Sequence, residues 1–269
     1  MWMRAFRDRL RRTPAPSCDC PVPDPDDFSP FTYSRHSHCG AFQRCGLENR
    51  LHGAAVDLSA WTLKRYQDLL ALSFIESQVP EGSRLLEVGG GDSRLIHFLK
   101  HRYECWNADK MEGLGSGPLS VKEKGFRLVR SYIGDFSREL PADSFDFVFS
   151  ISALEHTPQQ DPGLFERIRA DLDRVLKPGG YSLHLFDVVL CPDRIRMNKL
   201  LPHLFVNQKT RNPFIPFETL LRDEDLFTLP ESVYDNSWLP ITRIPFAEFG
   251  RPFSYNILWR KPDDGSNAC

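Results

Sequence analysis

The chain lacks the features that mark several large classes of protein. No apolar run in its 269 residues approaches the roughly 20 residues needed to span a bilayer. The first residues, MWMRAFRDRLRR, lack the continuous apolar core of a secretory signal. A formal net charge of −2 gives no general argument for binding nucleic acid or a membrane. We therefore expect an intracellular, cytoplasmic protein.

Cysteine is too sparse and too unevenly spaced to indicate a disulfide framework. The chain contains seven cysteines, an odd number, and their spacing is irregular. An N-terminal group of Cys and His residues leaves zinc binding open, although its spacings are not the usual ones. Reduced surface thiols are the simpler interpretation. The group comprises Cys18, Cys20, His36, His38, Cys39 and Cys45.

The N-terminal part of the chain differs in composition from the rest. Residues 1–12 fit a short basic amphipathic helix, which is compatible with contact to an anionic membrane surface, with docking on the protein or with a loose tail. Residues 13–32 contain too much proline and aspartate for regular structure and indicate a linker or an extended arm. We assign residues 1–57 to an N-terminal arm and extension, and residues 58–269 to the main domain.

The main domain alternates between strand and helix patterns. Residues 58–78 show helical spacing of apolar side chains, and short apolar runs then alternate with amphipathic helices from residue 84. This alternation predicts an α/β fold with a mostly parallel, doubly wound sheet and helices on both faces. KPGG at 177–180 is predicted to end a helix, with its glycines as C-caps. Residues 190–237 indicate an irregular cap inserted after the fifth strand, and RPFSYNILWRK predicts a last strand.

The stretch LLEVGGGDSRL, residues 85–95, places three glycines where a doubly wound sheet binds its ligands. A nicotinamide dinucleotide needs G-x-G-x-x-G, but Arg94 occupies the third position and Asp92 would repel a pyrophosphate. A P-loop needs a lysine after the glycines, and none follows. S-adenosylmethionine carries no phosphate, and it suits acidic residues at the strand ends.

Three acidic residues end three successive strand patterns. Glu87 suits the amino group of S-adenosylmethionine. Asp109 lies 18 positions after Gly91, near the spacing of about 20 that nucleoside-binding sheets use for a ribose acid. Asp135 suits the adenine amino group, with Phe136 beside it as an apolar or stacking surface. These positions favour the adenosyl cofactor.

Residues 84–188 resemble the class I S-adenosylmethionine-dependent methyltransferases. The first motif of that family matches Glu87, Gly89 and Gly91, with Ser93 in place of a third glycine; Asp109, GD at 134–135, LPADSFDFVFSISALEHT and VLKPGG match later motifs in order. The resemblance implies a seven-stranded, doubly wound sheet and S-adenosylmethionine as cofactor. The residues that it implies for cofactor binding are Glu87, Gly89, Gly90, Gly91, Ser93, Asp109, Lys110, Asp135, Phe136 and Ser152.

The catalytic candidates follow the fourth strand, whose end faces the transferred methyl group in this family. His156 is the first choice for a general base because imidazole titrates near neutral pH; the alternative is that it only closes the pocket. Glu155 is grouped with it. SALEHT is also similar to an E-x-x-E-H metal motif, which His184 and Asp187 would complete, but Ser152 holds the first acid position. We assign no metal ligand.

The predicted acceptor is a small molecule or glycan, methylated on oxygen. Basic and aromatic residues of the cap suit an anionic or sugar-phosphate acceptor, or else form a solvated face. An RNA or protein methyltransferase and an inactive cofactor-binding module are the alternatives; a nucleic acid ranks lower because no strong basic stripe is present. The oligomeric state stays open. The cap residues concerned are Arg194, Arg196, Lys199, His203, Lys209 and Arg211, with Phe205, Phe214, Phe217 and Trp238.

Overall fold

A computed structural model describes residues 20–113, 117–122 and 125–263. The helix predicted at residues 1–12 and Cys18 lie outside these residues. Within the part of the chain that the structure describes, no helix combines the length and apolarity needed to cross a membrane.

Seven strands form one sheet in the order β3-β2-β1-β4-β5-β6, and β7 also pairs with β5. Neighbours among β1 to β5 are parallel, whereas β6 and β7 run antiparallel to β5. The sequence prediction of a seven-stranded, mostly parallel sheet is confirmed. The strands are β1 (Arg84–Val88), β2 (Glu104–Ala108), β3 (Arg127–Val129), β4 (Phe145–Ile151), β5 (Leu176–Leu190), β6 (Ile195–Arg196) and β7 (Arg251–Arg260).

Helices cover both faces of the sheet and bury two hydrophobic cores. Strand alternation sends Leu85 and Phe147 into one core and Leu86 and Val148 into the other. The first core also contains α3, and the second contains α5. The helices are α1 (His36–Arg44), α2 (Leu47–His52), α3 (Leu63–Gln78), α4 (Arg94–Leu99), α5 (Pro162–Val175), α6 (Leu200–Asn207), α7 (Phe217–Arg222), α8 (Glu231–Ser237), α9 (Leu239–Thr242) and α10 (Phe246–Phe249).

The KPGG glycines do not cap α5, so that prediction is wrong. The helix ends at Val175, and Leu176 is already extended and begins β5. A Cβ on Gly180 would lie only 3.0 Å from the backbone oxygen of Asp146 on the neighbouring strand. Gly180 therefore permits the close approach of β4 and β5.

The segment predicted as an irregular cap contains regular structure. It includes β6, α6, α7 and α8. Helix α6 buries Leu200, Leu201 and Leu204, which pack in the same core as α5. Prolines and charged residues interrupt the helical spacing of apolar residues here, so the sequence pattern does not predict these short helices.

The N-terminal segment packs against the main domain. Phe28 and Phe42 are fully buried in the same core as α3. Residues 32–34 also pair with the outer edge of β7, where Ser34 N donates to Ser254 O at 3.0 Å and Asn256 N donates to Thr32 O at 2.7 Å. This pairing covers backbone groups that an edge strand would otherwise expose.

The N-terminal Cys and His residues that the structure describes do not gather into a metal site. Cys20 and Cys45 form a disulfide, so the expectation of reduced thiols is wrong for this pair. Cys39 is buried, and the His38 ring lies 3.1 Å from the hydroxyl of Tyr66. Nowhere among the described residues do three His, Cys, Asp or Glu side chains meet in a metal-binding arrangement. The structure therefore gives the zinc interpretation no support.

Candidate active site

The glycine loop after β1 makes room for atoms of the protein itself. Gly89 has φ +69°, and a Cβ there would lie 2.6 Å from Cβ of Ala153. A Cβ on Gly90 would lie 2.7 Å from the carboxyl carbon of Glu87. The loop can therefore lie against both Glu87 and the segment that follows β4.

Two side chains at the end of β2 hold this loop. Asn107 accepts from Gly90 N at 3.2 Å and donates to Gly91 O at 2.9 Å. Asp109 accepts from Gly91 N at 2.9 Å and from Met111 N at 2.7 Å. The predicted ribose acid therefore also fixes the loop. Asn107 was not predicted; its only signal is an amide in an apolar strand, two residues before the acid.

Glu87 and Ser93 form a buried pair beneath the loop. Burial raises the pKa of Glu87 to about 7, although the Ser93 hydroxyl donates a hydrogen bond to its carboxylate. The second oxygen, Oε2, is buried without a hydrogen-bond partner. Ser93 Oγ also accepts from Ile96 N at 3.0 Å and caps α4. The serine at the third glycine position thus connects the acid to the helix.

The predicted adenine-binding residues lie around Tyr132. The Lys110 ammonium lies 4.8 Å from the centre of the Tyr132 ring. The hydrogen bond that the Tyr132 hydroxyl donates to Glu112 raises the pKa of Tyr132 to about 12, with smaller contributions from burial and from the charges of Asp109 and Asp135. Phe136 is 43% exposed and has a positive φ of 53°. Lys110, Asp135 and Phe136 are exposed, and their assignment to the cofactor stays a prediction.

The turn that carries Asp135 and Phe136 is supported by a buried acid. Asp171 on α5 accepts from Gly134 N at 2.7 Å and from Phe136 N at 3.1 Å. Asp171 is fully buried, whereas Asp135 is exposed. The side chain of Asp135 is therefore free to meet a ligand while its backbone is held in place.

A second polar group lies beyond the end of β4. The Ser152 hydroxyl lies 2.6 Å from Gln67 Oε1 and 3.0 Å from Asp187 Oδ1. Gln67 Nε2 donates to Asp187 Oδ1 at 2.9 Å and to Ser254 Oγ at 3.1 Å. Gln67 is fully buried on α3. The sequence signal that was missed is this polar residue inside the apolar run YQDLLALSF.

Glu155 and Asp187 form a half-buried acidic pair next to this group. Asp187 N donates to Glu155 Oε1 at 3.3 Å, and Glu155 Oε2 is buried without a partner. Burial raises the pKa of both carboxyls, and the charge of Asp187 raises that of Glu155 further. Lys64 acts on both carboxyls electrostatically, and His156 acts on Asp187. His156 itself is exposed.

His184 lies apart from this acidic pair. Its ring nitrogens lie 2.8 Å from Ser150 Oγ and 2.9 Å from Ser182 Oγ, and burial lowers its pKa to about 3. Three positions separate His184 from Asp187, so strand alternation sends the two side chains to opposite faces of β5. The metal site suggested by the SALEHT motif is therefore not assembled.

The basic residues of the cap do not converge on one surface. Arg194 pairs with Asp193, and Arg211 pairs with Asp26 at 3.4 Å. Arg196 donates to the backbone oxygen of Phe249 at 2.9 Å and lies over its ring. This dispersal favours the solvated-face interpretation of these charges.

Comparison with protein families assigns the centre of the chain. Residues 86–183 match the family model described as "Methyltransferase domain". The matched segment runs from β1 into β5 and contains the glycine loop, Asp109 and the segment after β4. The match assigns a methyltransferase domain to this segment. No curated protein matches the chain.

The chain is distantly similar to several solved structures. Phosphoethanolamine N-methyltransferase 2 from Haemonchus contortus is 16% identical over 74% of this chain and 53% of its own, with a TM-score of 0.46. The YcgJ protein from Bacillus subtilis is also 16% identical, over 74% of this chain and 99% of its own, with a TM-score of 0.45. This chain thus spans about half the length of the nematode enzyme. At these scores nothing follows about the acceptor.

S-adenosylmethionine is the cofactor that a methyltransferase domain implies. The residues present fit that group. The unpartnered Glu87 Oε2 is placed for a cationic amino group, and Asp109 at the adjacent strand end is placed for ribose hydroxyls. Lys64 bears electrostatically on Glu87 and lies exposed near the start of α3. Lys64 was not predicted from the sequence.

Proposed function

We propose that the protein transfers the methyl group of S-adenosylmethionine to an oxygen of a small-molecule or glycan acceptor. The observation that carries this proposal is the placement of His156. It is an exposed imidazole after β4, and its charge acts on the half-buried Asp187. A base that solvent and acceptor can both reach suits removal of a hydroxyl proton.

The residues have distinct roles in this reaction. Glu87 and Asp109 hold the donor by its amino group and ribose, with Lys110, Asp135 and Phe136 beside the adenine and the loop of Gly89, Gly90, Gly91 and Ser93 beneath it. His156 accepts the hydroxyl proton as the acceptor oxygen bonds to the methyl carbon and the sulfur–methyl bond breaks. The donor leaves as S-adenosylhomocysteine. Positioning supplies most of the acceleration, because the donor already carries the reactive carbon.

The same proposal includes the domain boundaries and the cellular location of the protein. We assign residues 58–269 to the methyltransferase domain, with a cap at about 190–237, and residues 1–57 to an extension, of which the described part from residue 20 packs on the domain. A cytoplasmic location stays a prediction, and the disulfide of Cys20 and Cys45 bears on it, because cytosolic thiols are usually reduced. Peptide mass mapping without reductant, on protein taken from its native cell, distinguishes the two states of this pair.

The test is methyl transfer from labelled S-adenosylmethionine into fractionated cell extract. We expect label in the small-molecule or glycan fraction, as a product whose methyl group survives mild base as an ether. Label in RNA or protein would identify the alternative acceptors. Donor binding without label in any fraction would overturn the enzymatic proposal in favour of an inactive cofactor-binding module.

A further inference from the structure

Two buried carboxylate oxygens without partners lie at the ligand end of the sheet. They are Glu87 Oε2 and Glu155 Oε2. An ionised carboxylate oxygen that is buried and unpartnered is costly, so each position favours a cationic occupant. The amino group of the donor accounts for Glu87. The proposed function leaves Glu155 without an occupant.

We propose that Glu155 and Asp187 form a subsite for the sulfonium charge, so that the protein binds S-adenosylmethionine more tightly than S-adenosylhomocysteine. This inference rests on the proposed function, since it requires the donor to occupy the glycine loop. The subsite would recognise the positive charge on sulfur, which methyl transfer removes.

The position of the pair relative to the glycine loop supports this assignment. Ala153 lies directly against Gly89, so the segment after β4 borders the loop that holds the amino-acid part of the donor. Two residues further on, Glu155 accepts a hydrogen bond from Asp187 N. The acidic pair therefore lies just past the loop, on the side of β4 and β5, where the reacting sulfur meets the acceptor in this fold.

The charges around the pair leave it acidic. Lys64 from α3 and His156 from the segment after β4 are the groups that oppose it, and both side chains are exposed. Lys64 also acts on Glu87, so its charge is spread over several carboxylates. A further cation at the pair would lower the cost of burying two carboxylates there.

Hydrogen counting around Ser152 shows how the pair is satisfied without a ligand. The Ser152 hydroxyl has one hydrogen and lies within bonding distance of both Gln67 Oε1 and Asp187 Oδ1. Both amide hydrogens of Gln67 are already directed to Asp187 and Ser254. A proton on Asp187 completes the set, because Asp187 then donates to Ser152 while Ser152 donates to Gln67. When Asp187 loses that proton to solvent, a bound sulfonium would offset the negative charge that remains.

The sulfonium is what distinguishes donor from product. Both ligands carry the same adenine, ribose, amino group and carboxylate, but S-adenosylhomocysteine has a neutral thioether. The pair attracts the first ligand and has no charge to attract in the second. Methyl transfer therefore abolishes this interaction, which favours release of the product.

Calorimetry with the full chain tests the proposal through the ratio of the two affinities. Glu155→Gln keeps the shape of the side chain and removes its capacity to carry a negative charge when the sulfonium is bound. It should reduce the preference for S-adenosylmethionine over S-adenosylhomocysteine about tenfold. Asp187→Asn should act in the same direction, and it provides a second variant if the first fails to fold. In sinefungin a protonated amine replaces the methylsulfonium. Both variants should therefore bind sinefungin more weakly than the wild-type protein does, as they should S-adenosylmethionine.

Asp109→Asn is the matched control, because the ribose is common to both ligands. It should weaken both and leave their ratio unchanged. If Glu155→Gln and Asp187→Asn also leave the ratio unchanged, the pair does not sense the sulfur charge and the subsite is overturned. If the wild-type protein binds neither ligand, the proposed function itself fails.

Discussion

The two ends of the candidate active site are built in different ways. At the glycine-loop end, formed by Glu87, Gly89–Gly91, Asn107 and Asp109, side chains bond mainly to backbone amides and carbonyls. At the acidic end, formed by Gln67, Ser152, Glu155 and Asp187, they bond mainly to one another. The first arrangement fixes a loop against a constant part of the ligand. The second can exchange a proton or a charge as the ligand changes.

The largest effect on turnover should come from His156, which follows Glu155 of the acidic end, and it should leave cofactor affinity unchanged. We expect His156→Ala to lower turnover by about 100-fold, since a positioned general base contributes that much or more. The affinity for S-adenosylmethionine should be unchanged, because His156 is exposed and is assigned to the acceptor. Steady-state kinetics and calorimetry separate the two effects.

His101→Ala is the control for this variant. His101 is also exposed, but it lies between α4 and β2 at the opposite end of the sheet. It should leave turnover unchanged. A loss of donor affinity in His156→Ala that matches its loss of turnover would assign His156 to cofactor binding instead.

The glycine-loop end should respond in the opposite way, through binding. Asp109→Ala removes the predicted ribose acceptor together with hydrogen bonds to Gly91 N and Met111 N. We expect affinity for donor and product to fall equally, by about 30-fold, the size typical of a lost hydrogen bond to a charged group. Asp92→Ala, an exposed carboxylate of the same loop that pairs with His97, should change either affinity less than about threefold. Equal losses in the two variants would contradict the assignment of Asp109.

Substitution of Glu87 should change the stability of the protein and its ligand affinity in opposite directions. Its pKa is about 7 in the folded protein against an ordinary 4.5, so folding favours the protonated carboxyl and stability falls as the pH rises through about 7. Glu87→Gln should therefore stabilise the ligand-free protein at pH 8 by up to about 3 kcal/mol, with the gain disappearing near pH 4. It should also weaken both ligands about tenfold, since the amino group loses its charged partner.

Urea denaturation at the two pH values measures the first effect, and calorimetry measures the second. Glu139→Gln, at an exposed position, is the control and should show neither. A variant that is destabilised at pH 8 would show that Glu87 is paired with a cation in the ligand-free protein.

The smallest effect should come from restoring the glycine of the family motif. Ser93→Gly removes the cap of α4 and the hydrogen bond to Glu87. Glycine is itself tolerated at an N-cap, so the loss of stability should be only a few tenths of a kcal/mol. The affinity for both ligands should fall about threefold as Glu87 loses its support. Tighter binding would mean that the serine obstructs the cofactor.

The sequence predicts the glycine-loop end better than the acidic end. Glu87 and Asp109 are visible because each directly ends an apolar strand, where parallel strands must present side chains to a ligand. Gln67 and Asp187 lie 120 residues apart and meet only through the packing of α3 on β5. No local sequence pattern predicts that contact.

Two further differences have the same origin. The KPGG glycines have the composition of a helix cap, yet the contact of Gly180 with Asp146 on β4 decides their conformation. The disulfide of Cys20 and Cys45 depends on an extended arm folding back over 25 residues. Both are long-range contacts that spacing along the chain does not encode.

A crystal structure with S-adenosylhomocysteine is the most direct test of the division between the two ends. We expect the ligand amino group within hydrogen-bonding distance of Glu87 Oε2, the ribose hydroxyls on Asp109, and the sulfur facing Ser152 and the Glu155–Asp187 pair. A sulfur atom directed away from that pair, or a ligand bound outside the glycine loop, would contradict the account.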